Sequence, residues 1–242
     1  ASGLAAINTV YGFFVLPETL PPERRRKFSW ARANPVGSLL QVSKYPMVLG
    51  VLFAYFLMQF AHNALPAVWA WFSEAKFGWT PMDIGWSLAF VGVTSAIVQG
   101  GLTSKVIPKI GEAKAAMIGI SALTLAFTGY ALFTPSGAYV YMWIIVGAIG
   151  GFTMPAMQGL MTRAAPADAQ GELQGAISSV MSISMAISPL IMTQVFSKFT
   201  APDAKVYFPG APLLLGAMIL ACSLVPLYIT VRNVRAKEAP AE

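Results

Sequence analysis

The stretch LPETLPPERRRKFSWARANP, residues 16–35, decides how the rest of the chain is read. Six charges fall between Glu18 and Lys27, and Arg32 follows, while the chain on either side is nearly free of charge. Downstream, apolar runs follow one another at about 47–72, 82–102, 115–133, 140–161, 173–196 and 211–231. Each is close to the ~20 residues that an α-helix needs to cross the hydrocarbon of a bilayer. Upstream, residues 1–16 hold a shorter run that stops at Pro17 and reads as the end of a truncated transmembrane helix. It has neither the basic start nor the initiator Met of a signal peptide. The expected fold is all-α, a polytopic membrane protein with one six-helix bundle over 47–231.

Composition agrees. Hydrophobic residues make up 56% of the chain and charged residues 11%, against roughly 25% charged in soluble domains. The net charge of +6 does not point to nucleic acid, because the positive residues stand at the ends of apolar runs. Cys222 is the one cysteine, inside an apolar run. It can make no intrachain disulfide and no metal site by itself. There is no Walker loop, nucleophile elbow or paired His and Cys ligand set. The sequence therefore predicts no enzyme, cofactor or metal.

The basic residues also orient the chain. Of 16 Lys and Arg, all but Lys76, Lys198 and Lys205 lie in one set of alternate loops: 17–46, 105–114, 163–172 and the tail 232–242. The positive-inside rule puts that set in the cytoplasm, and the C-terminus with it. Residues 17–46 then form a cytoplasmic central loop. Asn34–Pro35, ahead of Val36, Leu39, Leu40 and Val42, would start a short surface helix or a solvated linker.

Every carboxylate is expected in a loop, a tail or, like Asp83, the first turn of a helix, and His62 is the one histidine inside a span. Gln59, His62, Asn63 and Pro66 recur at helical spacing, so they share one face. Lipid cannot satisfy such a stripe, so it should face a cavity or another helix. His62 could touch a substrate, carry a proton, or rest neutral against a neighbouring helix. Trp69 continues the same face and could stack on a flat ligand, whereas Trp71 and Trp79 suit the interfacial belt. Ser87, Thr94, Ser95 and Gln99 fall in one sector of the next span. Gly147, Gly151 and Pro155, then Gly171 and Gly175, follow four-residue spacing that suits either close helix packing or a hinge.

Four stretches carry a resemblance: LPETLPPERRR (16–26), MQFAHNALPAVWAWFSEAKFGWTPMDIGWSLA (58–89), GAIGGFTMPAMQGLMTR (147–163) and GELQGAISSVMSISMAISPL (171–190). In them the chain resembles the C-terminal half of a major facilitator superfamily transporter, from the drug:proton antiporter branch with the tetracycline-efflux pumps. That implies the end of helix six plus helices seven to twelve, a fold of inverted repeats. It also implies a multi-pass protein of the bacterial inner membrane that exports a lipophilic small molecule, tetracycline-like among the options, in exchange for protons. Its partners would be the lipid bilayer and a missing N-terminal half or a second copy. The resemblance adds that SKVIPKIGEAK (104–114) is a worn copy of the family's charged loop. The histidine and aspartate that tetracycline pumps carry in helices eight and nine fall at Thr94 and Leu123. Two other readings stay open, a self-associating assembly unit without transport and a transporter of another metabolite.

Overall fold

The computed structural model describes residues 44–238 together with residues 11, 14 and 42. Apart from residues 11, 14, 42 and 44–46, the segments expected to form the truncated span (1–16) and the central loop with its short helix (17–46) lie outside the described residues, as do the last four residues. Among those described there is no strand. Among the described residues six helical spans are long and apolar enough to cross a membrane: α1 (Pro46–Phe77), α2 (Pro81–Ile110), α3 (Glu112–Leu132), α4 (Ala138–Ala164), α5 (Ala167–Thr200) and α6 (Ala211–Asn233).

The turns between them follow from local chemistry. Gly78 ends α1 at φ +66° and Gly111 ends α2 at φ +80°, conformations open to glycine at little cost. Thr80 caps α2: its main-chain N–H donates to Asp83 Oδ2 at 2.9 Å, the Asp83 N–H points back to the Thr80 hydroxyl, and Pro81 opens the helix. The α2–α3 connection is shorter than the sequence suggests. Residues 103–110 continue α2 as helix, and only Gly111 remains to make the turn. Similarly α1 runs on to Phe77, so Glu74 and Lys76 stand in its last turn.

The core is built around α1 and α3. α6 packs on both, α4 packs on α3 and α1, and α5 lies along α1. The side chains at the centre include Tyr55, Phe72, Phe127, Ile120 and Met157, all buried. Interhelical contacts use missing side chains. A Cβ at Gly50 would meet the Thr230 hydroxyl oxygen of α6 at 2.1 Å, and one at Gly129 would meet the Trp143 indole of α4 at 2.1 Å. Two polar links add to this. The Ser188 hydroxyl of α5 donates to the Phe60 carbonyl of α1 at 2.6 Å, and Lys76 reaches from α1 to the end of α3. Its Nζ donates to the Tyr130 and Ala131 carbonyls at 3.0 Å each and to the Thr134 hydroxyl at 2.6 Å. Those carbonyls belong to the last turn of α3, where a helix lacks internal donors and its dipole favours a cation.

α2 stands apart. Only 11% of its most apolar window is buried, against 61% for α3, and it touches the bundle chiefly through α4. A gap between α2 and α1 is the consequence.

Candidate functional site

That gap is a cleft of about 310 Å³, continuous with a smaller cavity of about 90 Å³ through shared lining residues. The larger part is bordered by Gln59 and His62 of α1, Ser95 and Gln99 of α2, and Gly147, Gly150 and Gly151 of α4. Leu123 and Ala126 of α3 stand behind. His62, Ser95 and Leu123 border both parts, and Thr94 borders the smaller one. No carboxylate borders either part among the described residues.

Each wall is irregular where it meets the cleft. In α1 the helix is interrupted at Asn63. Pro66 has no N–H, so the carbonyl four residues earlier, that of His62, loses its helical donor. In α2 residues Ile97–Leu102 form a π turn. In α4 residues Ile149–Phe152 tighten to a 3₁₀ turn just ahead of Pro155. The π and 3₁₀ turns lie against each other. A Cβ at Gly151 would sit 3.2 Å from Gln99 Cγ and 3.3 Å from Val98 Cγ1.

The candidate residues divide as follows. Gln59, His62, Thr94 and Gln99 come together on the cleft from the two consecutive helices α1 and α2. Asn63 turns inward on its own helix, Nδ2 donating to the Gln59 carbonyl at 2.9 Å. Trp69 does not border the cleft. It is buried, its indole N–H donates to the Ser87 hydroxyl at 3.0 Å, and its ring meets Tyr130 edge-on at 5.3 Å. With Phe77, Trp79, Phe90 and Tyr141 it forms an aromatic cluster at the α1–α2 turn end. The Thr94 hydroxyl donates to the Phe90 carbonyl at 2.9 Å, so toward the cleft it can only accept.

Gly147 and Gly151 are packing positions inside the chain, facing Ala126 and Gln99. Gly171 faces open space, and Gly175 is half-buried in α5. Sequence reasoning passed over Lys76, Gly129 and Gly150. A Cβ at Gly150 would stand 2.4 Å from Leu123 Cγ. The tandem glycines 100–101 and 150–151 were the available signal. From the charged loop 104–114, Glu112 in the first turn of α3 pairs at 2.6 Å with Arg163 in the last turn of α4.

Six apolar helices around a cleft that sets Gln59, His62, Ser95 and Gln99 among apolar side chains, with no carboxylate at its border among the described residues, define a polytopic membrane protein with room for a small molecule. Residues 1–189 match the family model of the Major Facilitator Superfamily, and the chain belongs to that family of membrane transporters. It is 30% identical over 216 residues to the class C tetracycline resistance protein of Escherichia coli, covering 89% of this chain and 54% of the relative. It is 26% identical to the Hippocampus abundant transcript-like protein 1 of Homo sapiens, over 95% of this chain and 49% of that protein. The crystal structure of the human organic anion transporter MFSD10 (TETRAN) superposes with a TM-score of 0.76 at 19% identity, over 92% of this chain and 55% of that one. The chain spans about half the length of the curated relatives it matches.

Proposed function

We propose that this chain is one six-helix half of a secondary transporter that exports a lipophilic drug-like compound, tetracycline-like compounds included, by proton-coupled alternating access. The observation that carries the reading is the cleft. Gln59, His62, Ser95 and Gln99 meet there in an otherwise apolar bundle, and unpaired polar groups in a membrane need water or a ligand to satisfy them. The name of the class C tetracycline resistance protein supports the substrate class. The second half of the pathway comes from another six-helix unit, whether on a longer chain, a separate chain or a second copy. The membrane is the bacterial inner membrane, with the C-terminus cytoplasmic as the basic loops suggest.

The proton role falls to His62. Thr94 and Leu123, where the resemblance puts the titratable residues of the tetracycline pumps, border the same cleft as His62. A titratable group on α1 would thus do from a third wall what those residues do from two others. The test is efflux of tetracycline from cells carrying the protein, followed by its fluorescence across external pH 5.5 to 8. His62→Gln should flatten the pH dependence while sparing protein level. An unchanged pH profile would remove the proton role, and no efflux above empty-vector cells would remove the transport reading.

A further inference from the structure

The π turn of α2 has an anchor outside the cleft lining. Thr103 donates to one acceptor twice: its main-chain N–H bonds the Val98 carbonyl, and its hydroxyl bonds the same oxygen at 2.9 Å. The i to i−5 spacing is that of a π turn, so the side chain favours the wide turn over the regular helix. The turn matters for what reaches the cleft. Val91 and Ser95 define the line along which α2 meets it. In a regular helix of 3.6 residues per turn, Val98 stands closer to that line than Gln99. A π turn holds more residues, so it rotates less at each, and Gln99 is brought back toward the line. The structure has this arrangement. Gln99 borders the cleft, while Val98 is buried against the 3₁₀ turn of α4.

We infer that Thr103 is a positioning residue: its hydroxyl holds the π turn that presents the Gln99 carboxamide, in place of the Val98 side chain, to a hydrogen-bonding group of the cargo. The cargo class that follows is a small molecule with a neutral keto, hydroxyl or amide group at the α2 wall, since a carboxamide offers a donor and an acceptor side by side. This rests on the reading that the cleft takes the cargo.

The test uses single cysteines at Gln99, Val98 and Ser95 in the full chain with Cys222→Ser, in membranes, timed against a small hydrophilic maleimide. Position 99 should react several-fold faster than position 98. Thr103→Val should shrink that ratio by about threefold, the worth of one hydrogen bond inside a bilayer, and Thr103→Ser should restore it. The rate at Ser95 should not move, which reports an intact fold. Faster labelling at 98 than at 99 in the otherwise unaltered protein would overturn the inference whether or not the variants fold. So would a 99:98 ratio indifferent to Thr103→Val at constant Ser95 rate. Labelling needs no cargo, so the two readings fail separately. If Gln99→Ala left efflux untouched, the contact of the Gln99 carboxamide with the cargo would be overturned, while the cleft reading would stand or fall on efflux itself.

Discussion

Lys76→Met removes a charge while keeping the length and apolar stem of the side chain. In the folded protein the ammonium bridges α1 to the last turn of α3 through the Tyr130 and Ala131 carbonyls and the Thr134 hydroxyl. Hydrogen bonds from a charged group are worth roughly 1.5–3 kcal/mol net, and a cation at a helix C-terminus adds up to about 1 kcal/mol. These overlap, because the same carbonyls carry the dipole. The loss is softened at Tyr130, whose carbonyl keeps the Thr134 hydroxyl at 2.8 Å. Ala131 is left with no such substitute. The ring contacts at 5.4 Å to Phe72 and 5.7 Å to Phe77 add about 0.5 kcal/mol. The expected destabilisation is about 2–3 kcal/mol, or roughly 5–10 °C in Tm for a chain of this size. Thr134→Val should cost about 1 kcal/mol. The double variant should fall short of the sum, because both groups serve one helix end. Thermal unfolding in detergent, read by tryptophan fluorescence, measures all three. A Lys76→Met variant within about 0.5 kcal/mol of the parent, the ordinary range for surface changes, would refute the clamp.

Gly129→Ala should destabilise by about 1–3 kcal/mol, because the new methyl would lie 2.1 Å from the Trp143 ring; Gly171→Ala, facing open space, should cost nothing measurable in the same unfolding assay. Ser87→Ala leaves the buried Trp69 indole N–H without its acceptor and should cost about 1–3 kcal/mol, seen also as a shift in tryptophan emission. Arg163→Gln removes an ion pair whose arginine is 75% exposed. It should change stability by less than about 1 kcal/mol, and the difference should vanish in high salt.

The fold was legible because its driving term is composition. Long apolar runs broken by short charged loops leave few options in a bilayer, and the basic loops add a direction. That Gln59, His62, Thr94 and Gln99 border a cleft was legible for the same reason, since a polar side chain in an apolar run has to face something other than lipid. Asn63 and Trp69 share that stripe by angle alone. What sets their roles is a neighbour: the Gln59 carbonyl one turn back for Asn63, and Ser87 on another helix for Trp69. Periodicity does not encode such partners. The ends of α1 and α2 ran past the apolar runs because helix propensity carries through Glu74, Lys76 and Lys105 until a glycine at positive φ stops it. The π turn at 97–102 shows in sequence only as two adjacent glycines. It arises from the Thr103 double bond to Val98 and the tight face of α4. The role of Lys76 depends on the end of a helix more than 50 residues away, a distance that no local pattern reports.

The central claim is that cargo occupies the cleft between α1, α2 and α4. Cysteines placed singly at Gln59, His62 and Gln99, with Cys222→Ser, test it most directly through protection from maleimide by tetracycline. The account predicts that the drug slows labelling at all three positions with one shared half-saturation concentration, and leaves a cysteine at Val206, exposed in the connection between α5 and α6, unaffected. Equal labelling with and without drug at the three cleft positions, or slowing that is as strong at Val206, would contradict it.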